Sequence, residues 1–489
     1  MTITRDDALR QVPDGRLFVD GLWLEGSTGG ERTHHDPATG EVVGKHQLAG
    51  SVEVDFAVKA ARDALQRGEL ADPVRRRLLL SSLADAIVAA AGDLAALQTL
   101  EMGQPIRATR AGVALAAEWF RYFAGWADKL DGTVVPAGGA VLDYVVANPY
   151  GVVAAITPWN GPVVSIALKV APAIAAGNAV VVKPSELAPF SALRFARICE
   201  EVVPPGVINV MPGGPGAGHA LCAHPGVDKI SFTGGSSAAR AVARAAAENH
   251  TPVVLELGGK SASIVFADTE PTVVGKLGAL LGTIQNSGQG CFLPTRLLVD
   301  RAIHDEVVAA VVATAEKARL GDPFEPSTTM GPLAGEAACE RVLSVVEDAR
   351  HRGDGVLLTG GQRAGGALAA GAFVQPTVFG DVDPASPLAQ EEIFGPVLAV
   401  MPFDDEDEAL AIANGTKYGL AGYVWTNDLR RAHRVAAALD AGYVSVNGMA
   451  ALPPAAPFGG WRGSGHGVEG GRWGVHEFVR LKNVCVSLG

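Results

Sequence analysis

The segment Asn286–Arg296, N-S-G-Q-G-C-F-L-P-T-R, contains the residue best suited to covalent chemistry, Cys291. Gly288 and Gly290 precede it, and such glycines let a backbone come close to a small substrate. A thiolate is a strong nucleophile, but a cysteine with a pKa near ~8.5 is little ionised at neutral pH. The thiol therefore needs a base or an oriented dipole. Taken alone, the loop is also compatible with a small buried cysteine.

Glu256 is the candidate base. It lies in Val254–Lys260, V-L-E-L-G-G-K, within an apolar strand that Gly258 and Gly259 follow at once. A carboxylate in such surroundings is expected to have a raised pKa, and it could activate water without a metal. The alternative is a strand-end carboxylate that accepts hydrogen bonds from the amides of the glycine loop.

Three further strand ends carry polar residues. Thr157–Asn160, T-P-W-N, places an asparagine amide on a proline turn, where it can donate to a developing oxyanion or make a local Asx hydrogen bond. Lys183–Glu186, K-P-S-E, can hold ribose hydroxyls or form a solvated charge pair. Phe232–Ser236, F-T-G-G-S, has glycines of the kind that admit a phosphate to a helix N-terminus. With 60 glycines in 489 residues, a lone glycine motif is weak evidence.

The elements that position these residues alternate between strands and helices. The apolar runs in the first part are Val152–Ile156, Ala179–Val182, Val207–Met211, Lys229–Phe232 and Val253–Leu257. Helix-length segments separate them, which predicts right-handed βαβ units and a parallel sheet with ligands at the carboxyl ends of its strands. A second α/β pattern runs from about Thr269 to Asn447, and residues 50–126 are predicted to be mostly helical.

Two segments are predicted to be strands with no obvious partner inside the other two domains of the chain. They are the excursion Gly132–Pro149 and the tail Val479–Leu488. Because open strand edges usually need a partner, we expect both to be shared between subunits of a homodimer or homotetramer.

Composition excludes several classes of protein. A net charge of −12 argues against a nucleic-acid surface, and 48% hydrophobic with 19% charged residues fits a globular protein of two or three domains. The five cysteines show no paired spacing, so neither a disulfide framework nor a zinc site is expected. Neither a signal peptide nor a membrane-spanning run is found, which favours a cytoplasmic enzyme.

Together these motifs resemble the aldehyde dehydrogenase superfamily in order and approximate spacing. The similarity extends to the ends of the chain, through Phe18–Trp23, Asp36–Glu41, Glu391–Val397, Tyr418–Ala421 and Pro457–Gly460. The resemblance implies an α/β fold with a Rossmann-like cofactor domain, an α/β catalytic domain and a small β oligomerisation domain. The corresponding ranges are 1–128 with 150–257, then 258–464, and lastly 129–149 with 465–489.

The resemblance also implies a mechanism. Cys291 attacks the aldehyde, while the Asn160 side chain and the Cys291 backbone amide hold the oxyanion. Hydride passes to the nicotinamide, and Glu256 activates the water that hydrolyses the thioester. Lys169 and Glu469 resemble a secondary proton-relay pair.

The cofactor implied is NAD, with NADP as the alternative, and no metal. The residues implied for its binding are Ile156, Thr157, Trp159, Lys183, Ser185, Glu186, Gly213, Gly218, Phe232, Thr233, Gly234, Ser236, Leu257, Glu392 and Phe394. Glu186 favours NAD⁺, because a 2′-phosphate beside this carboxylate would bring two negative groups together. The substrate tunnel is expected to be apolar and lined by Gly161, Val164, Leu168, Phe292, Leu452 and Phe458. It suits an aliphatic, terpenoid or aromatic aldehyde.

Two alternatives remain open at this stage. A CoA-acylating semialdehyde dehydrogenase would not need the carboxylate of Glu256. A catalytically silent binding or structural relative would usually have lost Cys291 or Glu256, and both are present.

Overall fold

Two large sheets organise the chain. The computed structural model describes residues 3–449 and 452–489. Within these ranges one sheet has eight strands, another has seven, and two small sheets have three and two. This mixed α/β architecture is the fold class that the sequence predicts.

The strands are β1 (Phe18–Val19), β2 (Leu22–Trp23), β3 (Glu31–His35), β4 (Val42–Gln47), β5 (Thr133–Val135), β6 (Val141–Pro149), β7 (Val152–Ile156), β8 (Ala179–Lys183), β9 (Ile208–Val210), β10 (Lys229–Thr233), β11 (Val253–Glu256), β12 (Ala262–Val265), β13 (Arg296–Asp300), β14 (Val356–Thr359), β15 (Thr377–Gly380), β16 (Val397–Phe403), β17 (Ala421–Trp425), β18 (Tyr443–Val446), β19 (Gly465–His466) and β20 (Val479–Ser487).

The α-helices are α1 (Arg5–Arg10), α2 (Ser51–Gln66), α3 (Pro73–Ala89), α4 (Ala91–Met102), α5 (Ile106–Ala124), α6 (Pro162–Ala175), α7 (Phe190–Val202), α8 (Pro215–Cys222), α9 (Ser236–Ala247), α10 (Pro271–Ala279), α11 (His304–Ala315), α12 (Glu336–Arg352), α13 (Pro387–Gln390), α14 (Glu406–Asn414), α15 (Leu429–Ala438) and α16 (Gly471–His476).

The first sheet has the order β19-β11-β10-β7-β8-β9-β1-β2. Its central strands from β11 to β9 are parallel, and β7 and β8 are buried along their whole length. Strands covered on both faces need continuous apolar runs, which explains why the sequence predicted the five central strands to within two residues of their ends. The chain order reverses between β7 and β10, and ligands bind at such a switch point beside the carboxyl ends of the strands.

The second sheet has the order β14-β15-β16-β13-β12-β17-β18 and is parallel except for β14. Its core includes buried residues of β12, β16 and α12. The Cys291 loop enters this sheet through β13, and Glu256 lies at the end of β11 in the first sheet. The nucleophile and the candidate base therefore come from different sheets.

The third sheet joins the excursion and the tail. β20 pairs antiparallel with β6 of the same chain, from Val479 opposite Pro149 to Ser487 opposite Val141. Both segments lie in this small sheet and not in the two large ones. Their pairing with each other was not predicted, because a pairing between distant segments leaves no local pattern in the sequence. β5 covers the other edge of β6, so the outer edges of β5 and β20 are the ones left open within the described ranges.

Among the described residues, no single helix is long and apolar enough to cross a membrane. The pair α3 and α4 meets the length and composition criteria together, with a bend of 68° between the two helices.

Candidate active site

The loop that carries Cys291 has an unusual backbone. A π-helical turn, Leu280–Ile284, precedes it, and Asn286, Ser287 and Gly288 follow with φ of 48°, 52° and 73°. Non-glycine residues rarely adopt this left-handed conformation, so neighbouring structure must hold the loop. Ser287 Oγ donates to Gly331 O at 2.8 Å, and a Cβ on Gly288 would lie 2.0 Å from Gly395 O. This close packing explains why residue 288 is a glycine.

The surroundings of Cys291 keep its thiol protonated at rest. Burial raises its pKa to about 12, with further contributions from the negative charges of Glu392 and Glu256. The backbone amides of Cys291 and Phe292 oppose this shift by donating toward the sulfur. These amides lie where negative charge develops if the sulfur reacts. Sequence reasoning identified the Cys291 amide but missed the Phe292 amide, for which the motif carries no signal.

Glu256 is only 3% exposed, and neither of its carboxylate oxygens has a hydrogen-bond partner within the described part of the chain. Burial raises its pKa well above the ordinary value, and the negative charge of Glu469 adds to the effect while Lys169 opposes it. A carboxyl group with a raised pKa is a stronger base when ionised. The backbone of β10 runs beside it, with Thr233 opposite Glu256.

Lys169 and Glu469 form a buried ion pair next to this carboxylate. Lys169 lies in α6, and its Nζ donates to Glu469 Oε1 at 2.6 Å and to Ser231 Oγ at 3.0 Å. The side chains are 1% and 7% exposed. Two backbone hydrogen bonds of 2.7 Å join Glu469 to Phe458. The structure thus brings together two residues, 300 positions apart, that the sequence had paired only by resemblance.

Asn160 lies on the turn between β7 and α6 and reaches the nucleophile loop. Its Nδ2 donates to Gln289 O at 3.1 Å, and Asn286 Nδ2 donates to the same carbonyl oxygen at 2.7 Å. The Asn160 amide therefore contacts the backbone two residues before the nucleophile.

The K-P-S-E segment begins with Lys183, the last residue of β8, and contacts Gly213. Lys183 is buried, and its Nζ donates to Pro184 O at 3.2 Å and to Gly213 O. Burial lowers its pKa, and Glu186 opposes that shift. Ser185 forms a β-bridge with Gly213, and Glu186 is half-buried beside it. A Cβ on Gly213 would lie 2.7 Å from Ala217, which explains the glycine.

The N-terminus of α9 is open to a ligand. Ser236 begins this helix, and Gly235 before it provides no side-chain cap. A Cβ on Gly235 would meet nothing within 4 Å, whereas one on Gly234 would collide with the Phe232 ring at 2.6 Å. Uncapped backbone amides at the start of a helix of this length suit a phosphate.

Other cofactor candidates lie between the two sheets. Thr157 directly follows Ile156, the last residue of β7. Its buried hydroxyl has no hydrogen-bond partner among the described residues. The Trp159 ring meets the Phe394 ring edge-on, with centroids 5.3 Å apart. Glu392 accepts from Gly259 N at 3.1 Å.

A dinucleotide fits these features. The unpaired Thr157 hydroxyl and the open start of α9 are a donor set for a phosphate and a ribose. Leu257 and Gly218 are the remaining predicted cofactor residues. Leu257 N donates to Ser464 O at 3.0 Å. A Cβ on Gly218 would lie 3.8 Å from the Lys183 side chain.

The predicted tunnel residues come from several elements. Gly161 directly precedes α6, and Val164 and Leu168 lie in its first two turns. Both of these side chains are partly buried and pack against the hydrophobic core of the first sheet and its helices. Leu452 is half-buried. The Phe292 and Phe458 rings meet edge-on, with centroids 6.1 Å apart.

Two tyrosines that sequence reasoning missed extend this pair. Tyr443 lies 6.3 Å from both Phe458 and Tyr423, measured between ring centroids. The Tyr423 hydroxyl donates to Phe292 O at 2.8 Å. The signal available in the sequence was the aromatic content of β17 and β18, whose pairing only the fold reveals. The four rings are called the aromatic cluster below.

Comparison with known proteins agrees with this geometry. The model of the aldehyde dehydrogenase family matches residues 23–484. The NADP/NAD-dependent aldehyde dehydrogenase PuuC of Escherichia coli is 40% identical, over 99% of this chain and 98% of its own. A betaine aldehyde dehydrogenase of Cereibacter sphaeroides is 41% identical, over 98% of this chain and 99% of its own.

A solved structure of betaine aldehyde dehydrogenase from Staphylococcus aureus, in complex with NAD⁺, superposes with a TM-score of 0.96. It is 34% identical and the match covers 99% of this chain and 96% of that one. These relatives confirm the predicted enzyme class and agree with a nicotinamide cofactor. The chain belongs to the aldehyde dehydrogenase family.

Proposed function

We propose that this protein oxidises an aldehyde to the carboxylic acid with NAD(P)⁺, through a thioester on Cys291 that water hydrolyses. One observation carries the proposal: the buried, unpaired carboxylate of Glu256 is close enough to Cys291 for its charge to raise the pKa of the thiol. Because a nucleophile and a base with a raised pKa share one buried site, acylation and deacylation can take place there.

In the first half of the reaction, the Cys291 thiol gives its proton to the Glu256 carboxylate, and Sγ attacks the carbonyl carbon. The backbone amide of Cys291, and the side-chain amide of Asn160, donate to the oxygen as it becomes negative. A bound NAD⁺ would supply the hydride acceptor for the same carbon. The product on the protein is a thioester of Cys291.

In the second half, Glu256 takes a proton from water, and the resulting hydroxide attacks the thioester carbon. The thiolate of Cys291 leaves with the C–S electron pair and takes up a proton, which restores the resting thiol. Lys169 and Glu469 then pass the proton away from Glu256, a role supported by their ion pair beside that carboxylate.

The test is the variant Glu256→Gln. Mixed with aldehyde and NAD⁺ in the absence of CoA, it should give a burst of one NADH per site, followed by turnover slowed roughly 10²–10⁴-fold. Full steady-state turnover by the variant would show that another group activates the water. If only added CoA supported wild-type turnover, the protein would be CoA-acylating.

The proposed cofactor is NAD⁺ in preference to NADP⁺. Lys183, Ser185 and Glu186 would hold the adenosine ribose, Gly213 and Gly218 would line its approach, and the segment from Phe232 to Ser236 would hold the pyrophosphate. Glu392 and Phe394 would contact the second ribose. The half-buried Glu186 carboxylate supports the preference, although the Lys183 amine beside it reduces the repulsion.

Cofactor preference can be measured directly. The ratio of kcat/KM for NAD⁺ to that for NADP⁺ should exceed one in the wild type and fall in Glu186→Gln. A wild type that prefers NADP⁺, or an unchanged ratio in the variant, would contradict the assignment.

The proposed substrate is a mainly apolar aldehyde of aliphatic, terpenoid or aromatic type. The apolar residues of the tunnel and the aromatic cluster beside Cys291 support it. Each buried methylene adds about 0.8 kcal/mol, so kcat/KM should rise with chain length until the tunnel is full. Because aromatic rings also bind quaternary ammonium groups, betaine aldehyde is a competing substrate that must be tested. A preference for betaine aldehyde or succinic semialdehyde over hexanal would refute the proposal.

We further propose a homodimer or homotetramer and the division into three domains described for the sequence. The open edges of β5 and β20 support the first proposal, since a second subunit can cover them. Deleting residues 479–489 should give a monomeric or insoluble product, and a native mass of a single 50.3 kDa chain for the intact protein would refute the assembly. A cytoplasmic location stays a prediction.

A further inference from the structure

We propose that Gln104, supported by Gln98, is a positioning residue that holds the Asn160 turn in register with Cys291. The inference rests on the proposed role of Asn160 as a donor to the oxyanion. Neither glutamine belongs to the motifs that identify the family in the sequence.

A short relay of amides connects the two glutamines to the turn. Gln104 Nε2 donates to the backbone oxygen of Asn160 at 2.7 Å, and Gln98 Nε2 donates to Gln104 Oε1 at 3.0 Å. The glutamines are 9% and 4% exposed. Because both side-chain amides are buried and hydrogen-bonded one to the other, Gln98 restricts the rotation of Gln104, and Gln104 restricts the Asn160 peptide.

The backbone around Gln104 is clamped against the segment that supports the nucleophile loop. Gly103 ends α4 with a φ of 71°, and a Cβ there would lie 2.3 Å from the Pro332 ring. A Cβ on Gly331 would lie 1.8 Å from Gly103 O, so the two backbones are in close contact. Ser287 of the nucleophile loop donates to Gly331 O. One rigid segment therefore supports both Gln104 and the loop that carries Cys291.

The Asn160 turn needs such a support because its own sequence provides little. Gly161 follows Asn160 as the N-cap of α6 and contributes no side chain to the cap. The carbonyl oxygen of Asn160 lies before the N-cap of α6, so it does not accept a hydrogen bond within this helix. The other donor near it is Asn286 Nδ2, at 3.5 Å. Gln104 thus makes the shorter hydrogen bond to the peptide that joins Asn160 to Gly161. Rotation of this peptide would swing the side chain that is proposed to meet the oxyanion.

The expected effect is on the chemical step. Oxyanion donors act over 2.7–3.1 Å, and a displacement of about 1 Å can lower a rate by about 10²-fold. Gln104→Leu should therefore lower the rate constant of the NADH burst roughly 10- to 100-fold when it is normalised to titrated active sites. The KM for NAD⁺ should change little. A loss of folded protein alone would reduce the burst amplitude and leave the rate constant unchanged.

Two companion variants separate positioning from packing. Gln104→Lys restores a donor to the Asn160 oxygen, and the Gln98 amide can turn its oxygen toward the ammonium group, so most of the burst rate should return. Gln104→Glu keeps the size and the acceptor for Gln98. Burial favours its protonated form, which can donate, so its burst should be slow like that of the leucine variant only at pH values where the carboxyl is ionised. If Gln104→Leu is insoluble, Gln104→Glu carries the same test.

A double-mutant comparison decides whether Gln104 acts through Asn160. Asn160→Ala with Gln104→Leu should burst no more slowly than Asn160→Ala alone, because the group to be positioned is already missing. Additive losses, or a wild-type burst rate in both Gln104→Leu and Gln104→Glu, would overturn the proposal. A wild-type burst rate in Asn160→Ala would instead refute the proposed role of Asn160 itself.

Discussion

The ion pair beside Glu256 offers a quantitative test of the electrostatics of the site. Among the charged neighbours of Glu256, Glu469 raises its pKa most and Lys169 lowers it. The substitution Glu469→Gln removes the negative charge and leaves the Lys169 ammonium, which still donates to Ser231. The pKa of Glu256 should therefore fall.

The magnitude follows from the usual strength of charge interactions in buried sites. A charge within about 4–6 Å of a carboxyl group shifts its pKa by ~1–3 units. Because Glu256 acts as a base in the ionised form, the acid limb of the deacylation rate should move to lower pH by that amount. The variant also leaves a buried lysine without its partner, which costs about 3–5 kcal/mol of stability. The double variant Lys169→Met with Glu469→Gln removes both charges, so its pKa should lie between those of the single variant and the wild type, and its stability should recover.

The assay is the decay of the acyl-enzyme, followed by rapid quench as a function of pH, with thermal melts of the same samples. The midpoint of the acid limb reports the pKa of the base. The plateau at high pH reports how fast the proton leaves, and it should fall in Glu469→Gln if this residue belongs to the relay. An acid limb that stays in place, or moves to higher pH, would refute the assignment of Glu256 as a base whose pKa Glu469 raises.

Three further outcomes are expected. Cys291→Ala should abolish aldehyde oxidation but retain cofactor binding by fluorescence titration, because the thiol lies outside the candidate ribose and phosphate residues; substantial oxidation would exclude Cys291 as the nucleophile. Gly258→Ala should raise the KM for NAD⁺, since the new Cβ would lie 1.9 Å from Glu392 Oε2 and displace that carboxylate; an unchanged KM would argue against a role of Glu392 in binding. Burial lowers the pKa of His46 to about 4, so the folded state loses stability as the pH falls below the unfolded value near ~6.5, by about 2 kcal/mol at pH 5. Thermal melts of His46→Leu should show a weaker pH dependence over this range, and an identical dependence would contradict a neutral buried imidazole.

Much of the first sheet could be predicted because its strands are local features. The apolar runs at β7 and β8 are buried along their whole length, and burial of that kind favours consecutive β-branched or small apolar residues. The candidate residues at the strand ends followed, since parallel strands present their carboxyl ends at one edge. The helix N-terminus at Ser236 could be predicted for the same reason, from glycines directly after a strand.

Contacts between distant segments could not be predicted in this way. The pairing of β20 with β6 was missed, since antiparallel pairing depends on where α16 directs the tail and not on the composition of either strand. The aromatic cluster was only half recognised, because Tyr423 and Tyr443 approach Phe292 and Phe458 through the packing of β17 and β18 beside the nucleophile loop.

By itself the sequence determined the family, the nucleophile candidate Cys291 and the base candidate Glu256, because short motifs with fixed turn chemistry encode them within a few residues. Tertiary structure alone decided how their charges act on each other. Burial of Glu256 beside Glu469 and Lys169 raises its pKa, and Gln104 reaches Asn160 across a contact between separate elements. Desolvation and hydrogen bonding depend on which atoms surround a group in space, and only the folded chain brings those atoms together.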